Sequence, residues 1–100
     1  MALDESGQLV GNDLATQSEQ VYLNLSSALK GAGATFEDVI KLTVYVVNWT
    51  PEMMEQLING ATQAAGKLGF DPRRAITLVG VASLSSPELL IEVEAVAIAD

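Results

Sequence analysis

The chain has 100 residues, 49% of them hydrophobic, which is enough for one core and leaves no room within it for a second domain. Thirteen acidic side chains against five basic ones give a formal net charge of −8, which repels polyphosphates and anionic membrane surfaces and argues against nucleic-acid binding. With no cysteine and no histidine, disulfide, thiol, serine–histidine and zinc chemistries drop out, and no metal is expected.

The opening MALDESGQLVG lacks a basic n-region and an apolar h-region, and no uncharged run reaches membrane-spanning length, so a soluble, cytoplasmic protein without membrane partners is expected. Gly7 and Gly11 mark this stretch as a loop, with a short extended piece around Gln8 to Val10. From Asp13, a suitable N-cap, apolar side chains recur at Leu14, Val21, Leu25, Ala28 and Ala32, predicting an amphipathic helix that stops at Gly31 and Gly33.

In TFEDVIKLTVYVVNW the period changes. Ile40, Leu42, Val44 and Val46 alternate with Lys41, Thr43, Tyr45 and Val47, and β-branched residues dominate, predicting a strand. A second helix begins at Thr50 as N-cap with Pro51 at its first position. Its apolar stripe is Met54, Leu57, Ile58, Ala61, Ala65 and Leu68. After the Asp71–Pro72 turn, 75–84 and 88–98 read as two further strands, expected to pair as a hairpin across SSP. In the last strand Leu89, Ile91, Val93, Ala95 and Ala97 form one apolar face. Leu90, Glu92, Glu94, Val96 and Ile98 share the other, and two carboxylates in an apolar row suggest a half-buried surface that another subunit covers. The order αβαββ implies an α+β sandwich, a single domain over 1–100 with both helices on one face of the sheet.

Several side chains have more than one reading. Arg74 is either a carboxylate anchor, each charge-assisted bond contributing roughly 1.5–3 kcal/mol, or a turn residue in a surface ion pair of about 0–1 kcal/mol. Arg73 points to the other side and reads as surface. Glu92 and Glu94 are either a proton-transfer pair or intersubunit ion-pair partners. Lys41 and Lys67 read as solvated, Trp49 as packing, and Tyr45 as packing or cleft. GAGA lies between a helix and a strand, the wrong order for phosphate binding, and no dinucleotide fingerprint is present, so no cofactor is expected.

Taken in order, NLSSALKGAGATFEDVIKLTVYVVNW, PRRAITLVGVASL and LLIEVEAVAIAD resemble the YjgF/UK114 family, also called the reactive intermediate deaminase (RidA) family. The resemblance covers residues 13 to 100. It implies a chorismate-mutase-like fold and a homotrimer whose sheets surround a central barrel, with clefts between subunits. It further implies an enamine/imine deaminase in which an arginine grips the carboxylate of a small 2-imino acid and a glutamate, matching Glu92, places water. Arg74 lies two residues before the position that a gapless match gives the arginine, which is Ile76, and is displaced by about 6–7 Å along the same side of the strand. The alternative implied is a catalytically inactive trimer of the same family that binds small carboxylates or serves as a scaffold. Against a ribonuclease, an activity also attributed to the family, stand the acidic balance and the missing histidine. Family members begin with a hairpin ending in Ser-Gly-Gln. Ser6–Gly7–Gln8 lies too close to the first helix to be that segment, so the first two strands are expected to be missing and a sheet edge to be unpaired.

Overall fold

The computed structural model describes residues 2–4, 6–8 and 11–98. Leu9 and Val10, two of the three residues expected to form a short extended piece, lie outside the described residues.

Helix α1 spans Leu14–Gly31, and the Asp13 carboxylate caps it by accepting from the Thr16 amide at 3.0 Å. Its buried stripe is Leu14, Gln17, Ser18, Val21, Tyr22 and Leu29. Ala28 and Ala32, expected inside, are exposed. Ala32 lies past the last helical residue as the C-cap, and in the final turn the larger Leu29 takes the buried place instead of Ala28. Past the helix, Gly33 adopts φ +80°, and the 3₁₀ turn Phe36–Asp38 follows, its Asp38 carboxylate accepting from the Thr35 amide at 2.8 Å.

Strand β1, Val39–Val47, buries Val39, Leu42, Val44 and Val46 against the helices. A register shift between Val39 and Lys41 marks a bulge, and the extra residue turns Ile40 outward although alternation had placed it with Leu42. Thr50 precedes a 3₁₀ turn, Pro51–Met53, rather than capping the helix itself. Helix α2 is Met54–Leu68, closed by Gly69 at φ +74°. It buries Leu57, Gly60, Ala61, Ala64 and Ala65, while Met54, Ile58 and Leu68 of the expected stripe are exposed. Close approach of the helices decides this: a Cβ on Gly60 would lie 2.4 Å from the Ser18 Cβ and 2.6 Å from the Ala15 carbonyl oxygen. The small residues therefore face α1, and the bulky ones turn aside.

Strands β2, Ile76–Val81, and β3, Ile91–Ala97, do not pair with each other as the expected hairpin. The sheet order is β2-β1-β3, with β2 parallel to β1 and β3 antiparallel to it. The helix α2 between β1 and β2 supplies the crossover that a parallel pair requires, and residues 82–90 then pass over the end of β1 to its far edge. The result is an α+β fold, two helices packed on one face of a three-stranded mixed sheet, with Leu42, Val44, Val46 and Ile91 at the centre of the core.

Among the described residues, two polar side chains are fully buried in it. Gln17 Nε2 donates to the Gly11 carbonyl at 3.2 Å and the Glu88 carbonyl at 2.9 Å, while its Oε1 accepts from the Leu90 amide at 2.8 Å. Ser18 Oγ donates to the Leu57 carbonyl at 3.0 Å. The first residue ties the N-terminal loop to the entry of β3, and the second ties α1 to α2.

Candidate functional site

Ile76 pairs with Leu42 and Leu78 with Val44, so this side of β2 faces the helices. Between β2 and α2 lies a cavity of about 590 Å³, walled by Tyr22, Leu57, Ala61, Ile58, Ile76 and Leu78, with Arg73 and Arg74 among its lining residues. Sequence periodicity assigned the α2 members to the core. Because α2 presents its small face to α1, Met54 and Ile58 are left at the cavity instead.

Arg74 is no free turn residue: its side chain is 15% exposed. Nη1 donates to the Arg73 carbonyl at 2.6 Å, and Nη2 donates to the Phe36 carbonyl at 3.1 Å and to the Glu37 carboxylate at 3.2 Å. The guanidinium carbon also sits 5.4 Å from the centre of the Phe36 ring, within cation–π range. These contacts anchor the start of β2 to the turn before β1. Glu37 is 67% exposed, so its carboxylate is the partner that solvent or a ligand most easily replaces. Arg73 is 88% exposed, as expected of a surface side chain, and grips Asp71 through Nε at 3.0 Å and Nη2 at 2.8 Å. These bonds to Arg73 hold the Asp71 carboxyl down at about 2.

On the other face of the sheet, Glu92 stands opposite Tyr45 and Glu94 opposite Thr43. Tyr45 Oη donates to the Glu94 carboxylate, and that hydrogen bond raises the phenol's pKa above its ordinary value. Val96 and Ile98, each more than half exposed, give this face the apolar surroundings that the alternation predicted, and the bulge adds Ile40, which alternation had placed on the other face. Trp49 packs against the core, Lys41 is exposed, and Lys67 forms an ion pair with Glu19 as well as meeting solvent.

One chain therefore does not bring Arg74 and Glu92 together. The arginine belongs to the helix side at the β2 edge, and the glutamate to the outer side of β3. Among the described residues there is no group of His, Cys, Asp or Glu placed to hold a metal, and no helix is long and apolar enough to cross a membrane.

The chain matches the Endoribonuclease L-PSP family over residues 1–99, so the match includes the N-terminal stretch before α1. AldR of Lactococcus lactis is 36% identical over 94 residues, which span 92% of this chain and 68% of AldR. YyfB from Yersinia pestis, a protein of unknown function of the conserved Rid protein family, superposes with a TM-score of 0.80 at 44% identity, covering 96% of this chain and 71% of YyfB. Escherichia coli TdcF, solved with bound serine, is alike in fold alone: its TM-score is 0.78 at 21% identity, over 96% of this chain and 72% of TdcF. The core, the mixed sheet and these matches agree, and the chain belongs to the Rid/YjgF/L-PSP family.

Proposed function

We propose that this protein is a RidA-like deaminase that hydrolyses small 2-imino acids in a cleft between copies of the chain, assembled as a homotrimer around a central barrel. The observation that carries the reading is the separation of Arg74 and Glu92 onto opposite faces of the sheet, each beside apolar surface that solvent reaches. A site using both residues takes one from each of two neighbouring copies. Heterologous contacts of that kind form a ring when the rotation between copies closes.

In this site Arg74 exchanges its Glu37 contact for the substrate carboxylate, because a guanidinium meets a carboxylate in two parallel bonds. Glu92 of the neighbouring copy accepts a proton from water as the water oxygen adds to the imine carbon. The proton is returned to nitrogen, giving a carbinolamine; its hydroxyl proton then passes to the same nitrogen as the C=O bond forms and the C–N bond breaks, and the products are ammonia and a 2-oxo acid. TdcF, which shares the fold, binds serine, a small amino acid with the same carboxylate end. No cofactor enters this scheme.

A second reading is a carboxylate-binding or scaffold protein without chemistry. It is favoured by the three donor contacts that Arg74 already makes, and by Ile76 at the gapless position of the family arginine. Ammonia release from enzymatically generated 2-iminobutyrate separates the two. Wild type is expected to exceed buffer clearly, and Arg74→Lys and Glu92→Gln to lose about 10–100-fold, the equivalent of about one charge-assisted bond. Wild type equal to buffer removes the deaminase. An active protein indifferent to Arg74→Lys and Arg74→Ala removes the anchor.

A further inference from the structure

The cavity beside Arg74 is larger than the smallest substrates of such a reaction require. It measures about 590 Å³. A molecule the size of 2-iminobutyrate, with about seven heavy atoms, fills at most roughly 200 Å³ even when each atom is given a water molecule's ~30 Å³ share of liquid. The remaining space has a definite chemistry. Tyr22, Leu57 and Ala61 form a buried inner wall, and Met54, Ile58 and Ile76 form a rim that is 42%, 54% and 50% exposed. Polar contributions are confined to the Tyr22 phenol, Thr62 and the two arginines. Apolar side chains half-open to water around a concave surface favour a ligand that covers them.

We infer that the ligand of this cavity is a monocarboxylate with a branched aliphatic or aromatic body, so that the preferred substrate is a 2-imino acid with a side chain of leucine to phenylalanine size. The chemical step rests on the deaminase reading above, whereas the choice of ligand rests on the cavity alone. Ile76 is central to it. At the position where the family resemblance sets a cation, this chain places hydrocarbon, which adds apolar contact for the body of the ligand and leaves Arg74 as the charged end. Glu37 and Asp71 are the acidic groups that face the two arginines, and both carboxylates reach solvent, so a ligand carboxylate replaces them at little cost. The inner wall carries no charged side chain, so a second carboxylate or an ammonium group on the ligand would be buried without a partner there.

The test is calorimetric titration of the assembled protein with three unreactive 2-oxo acids: 2-oxobutyrate, 4-methyl-2-oxopentanoate and phenylpyruvate. Each buried methylene improves affinity about fourfold, so the two larger acids are expected to bind at least tenfold more tightly than 2-oxobutyrate. Ile58→Asp, a rim substitution that does not touch the buried wall, is expected to weaken the larger acids at least tenfold and to change 2-oxobutyrate by no more than about twofold. Equal affinity for the three acids, preference for 2-oxobutyrate, no binding of any acid, or a uniform effect of Ile58→Asp would each overturn the inference. Ammonia release from the corresponding imines is measured in parallel. Graded binding without ammonia release removes the deaminase reading and keeps the ligand class. Ammonia release fastest from 2-iminobutyrate removes the ligand class and keeps the deaminase.

Discussion

Arg74 and Glu92 lie on opposite sides of the same three-stranded sheet, the arginine with Ile76 and Leu78 on the helix side and the glutamate with Tyr45 on the outer side. Complementation between chains follows if both serve one site. Arg74→Ala and Glu92→Gln proteins, each expected to keep no more than about a tenth of the wild-type rate alone, are unfolded together in equal amounts and refolded. Random mixing in a ring restores both wild-type residues at about a quarter of the sites. The mixture should recover up to roughly that share of wild-type ammonia release. No recovery, despite mixed oligomers seen by native mass spectrometry, would place both residues in a single chain's site or in none.

Gln17 is fully buried and satisfies three backbone groups, one in the N-terminal loop at Gly11 and two at the entry of β3, at Glu88 and Leu90. Gln17→Leu keeps the volume and leaves all three orphaned. The expected loss is about 2–4 kcal/mol of unfolding free energy, since each buried group stripped of its partner costs roughly 1–3 kcal/mol and some relaxes toward water. Urea unfolding followed by circular dichroism reads this as a lower midpoint with an unchanged slope.

Two glycines of α2 should answer the same substitution with opposite signs. At Gly60 an added methyl meets the Ser18 Cβ, the Ala15 carbonyl oxygen and the Glu19 amide nitrogen, all within 2.7 Å, and two of these are backbone atoms that cannot step aside. Gly60→Ala forces the helices apart and is expected to destabilise by about 1–3 kcal/mol. Gly66 meets nothing within 4 Å. Gly66→Ala therefore gains the helix preference of alanine, about 0.5–1 kcal/mol. Thermal midpoints of the two variants should fall on either side of wild type.

Asp71 titrates at about 2 in the folded chain, against an ordinary value of 3.8. Its folded-state value is depressed, so its contribution to stability is complete above about 3.8 and is lost as the pH falls through about 2. Carbon-detected NMR of the side-chain carboxyl should show that low midpoint in wild type. In Arg73→Gln the midpoint should return toward the ordinary value, because the bonds to Arg73 are what lower it. An unchanged midpoint would assign the depression to another group.

Much of this architecture was legible beforehand. Asp13 as a cap, the end of α1 at Gly31, the apolar face running from Leu89 to Ala97 and the placement of both helices on one side all follow from periodicity and turn chemistry. Periodicity reports which face a residue occupies but not which strand lies beside it, which is why a hairpin of β2 and β3 fits the pattern although β1 lies between them. It also assumes an unbroken period, which the bulge at Ile40 violates. The cavity was invisible for a related cause. It exists because Gly60 lets α1 and α2 approach, which turns Met54 and Ile58 away from the core, and helical spacing alone cannot reveal how close two helices come. For Arg74, the sequence offered an anchor or a surface pair. The contacts of its largely buried guanidinium with the Phe36 carbonyl and the exposed Glu37 combine features of both, and only the folded turn before β1 supplies them.

The central position of β1 has a kinetic consequence. Neither of its neighbours follows it directly: Leu42 meets Ile76 across the whole of α2, and Val44 meets Val93 later still. Sheet formation cannot start from a local hairpin, so loop closure must precede any reward from strand pairing. On the ribosome this strand emerges with both edges bare and waits for partners still inside the exit tunnel, which makes the interval before β2 appears the time when nascent chains are most exposed to self-association.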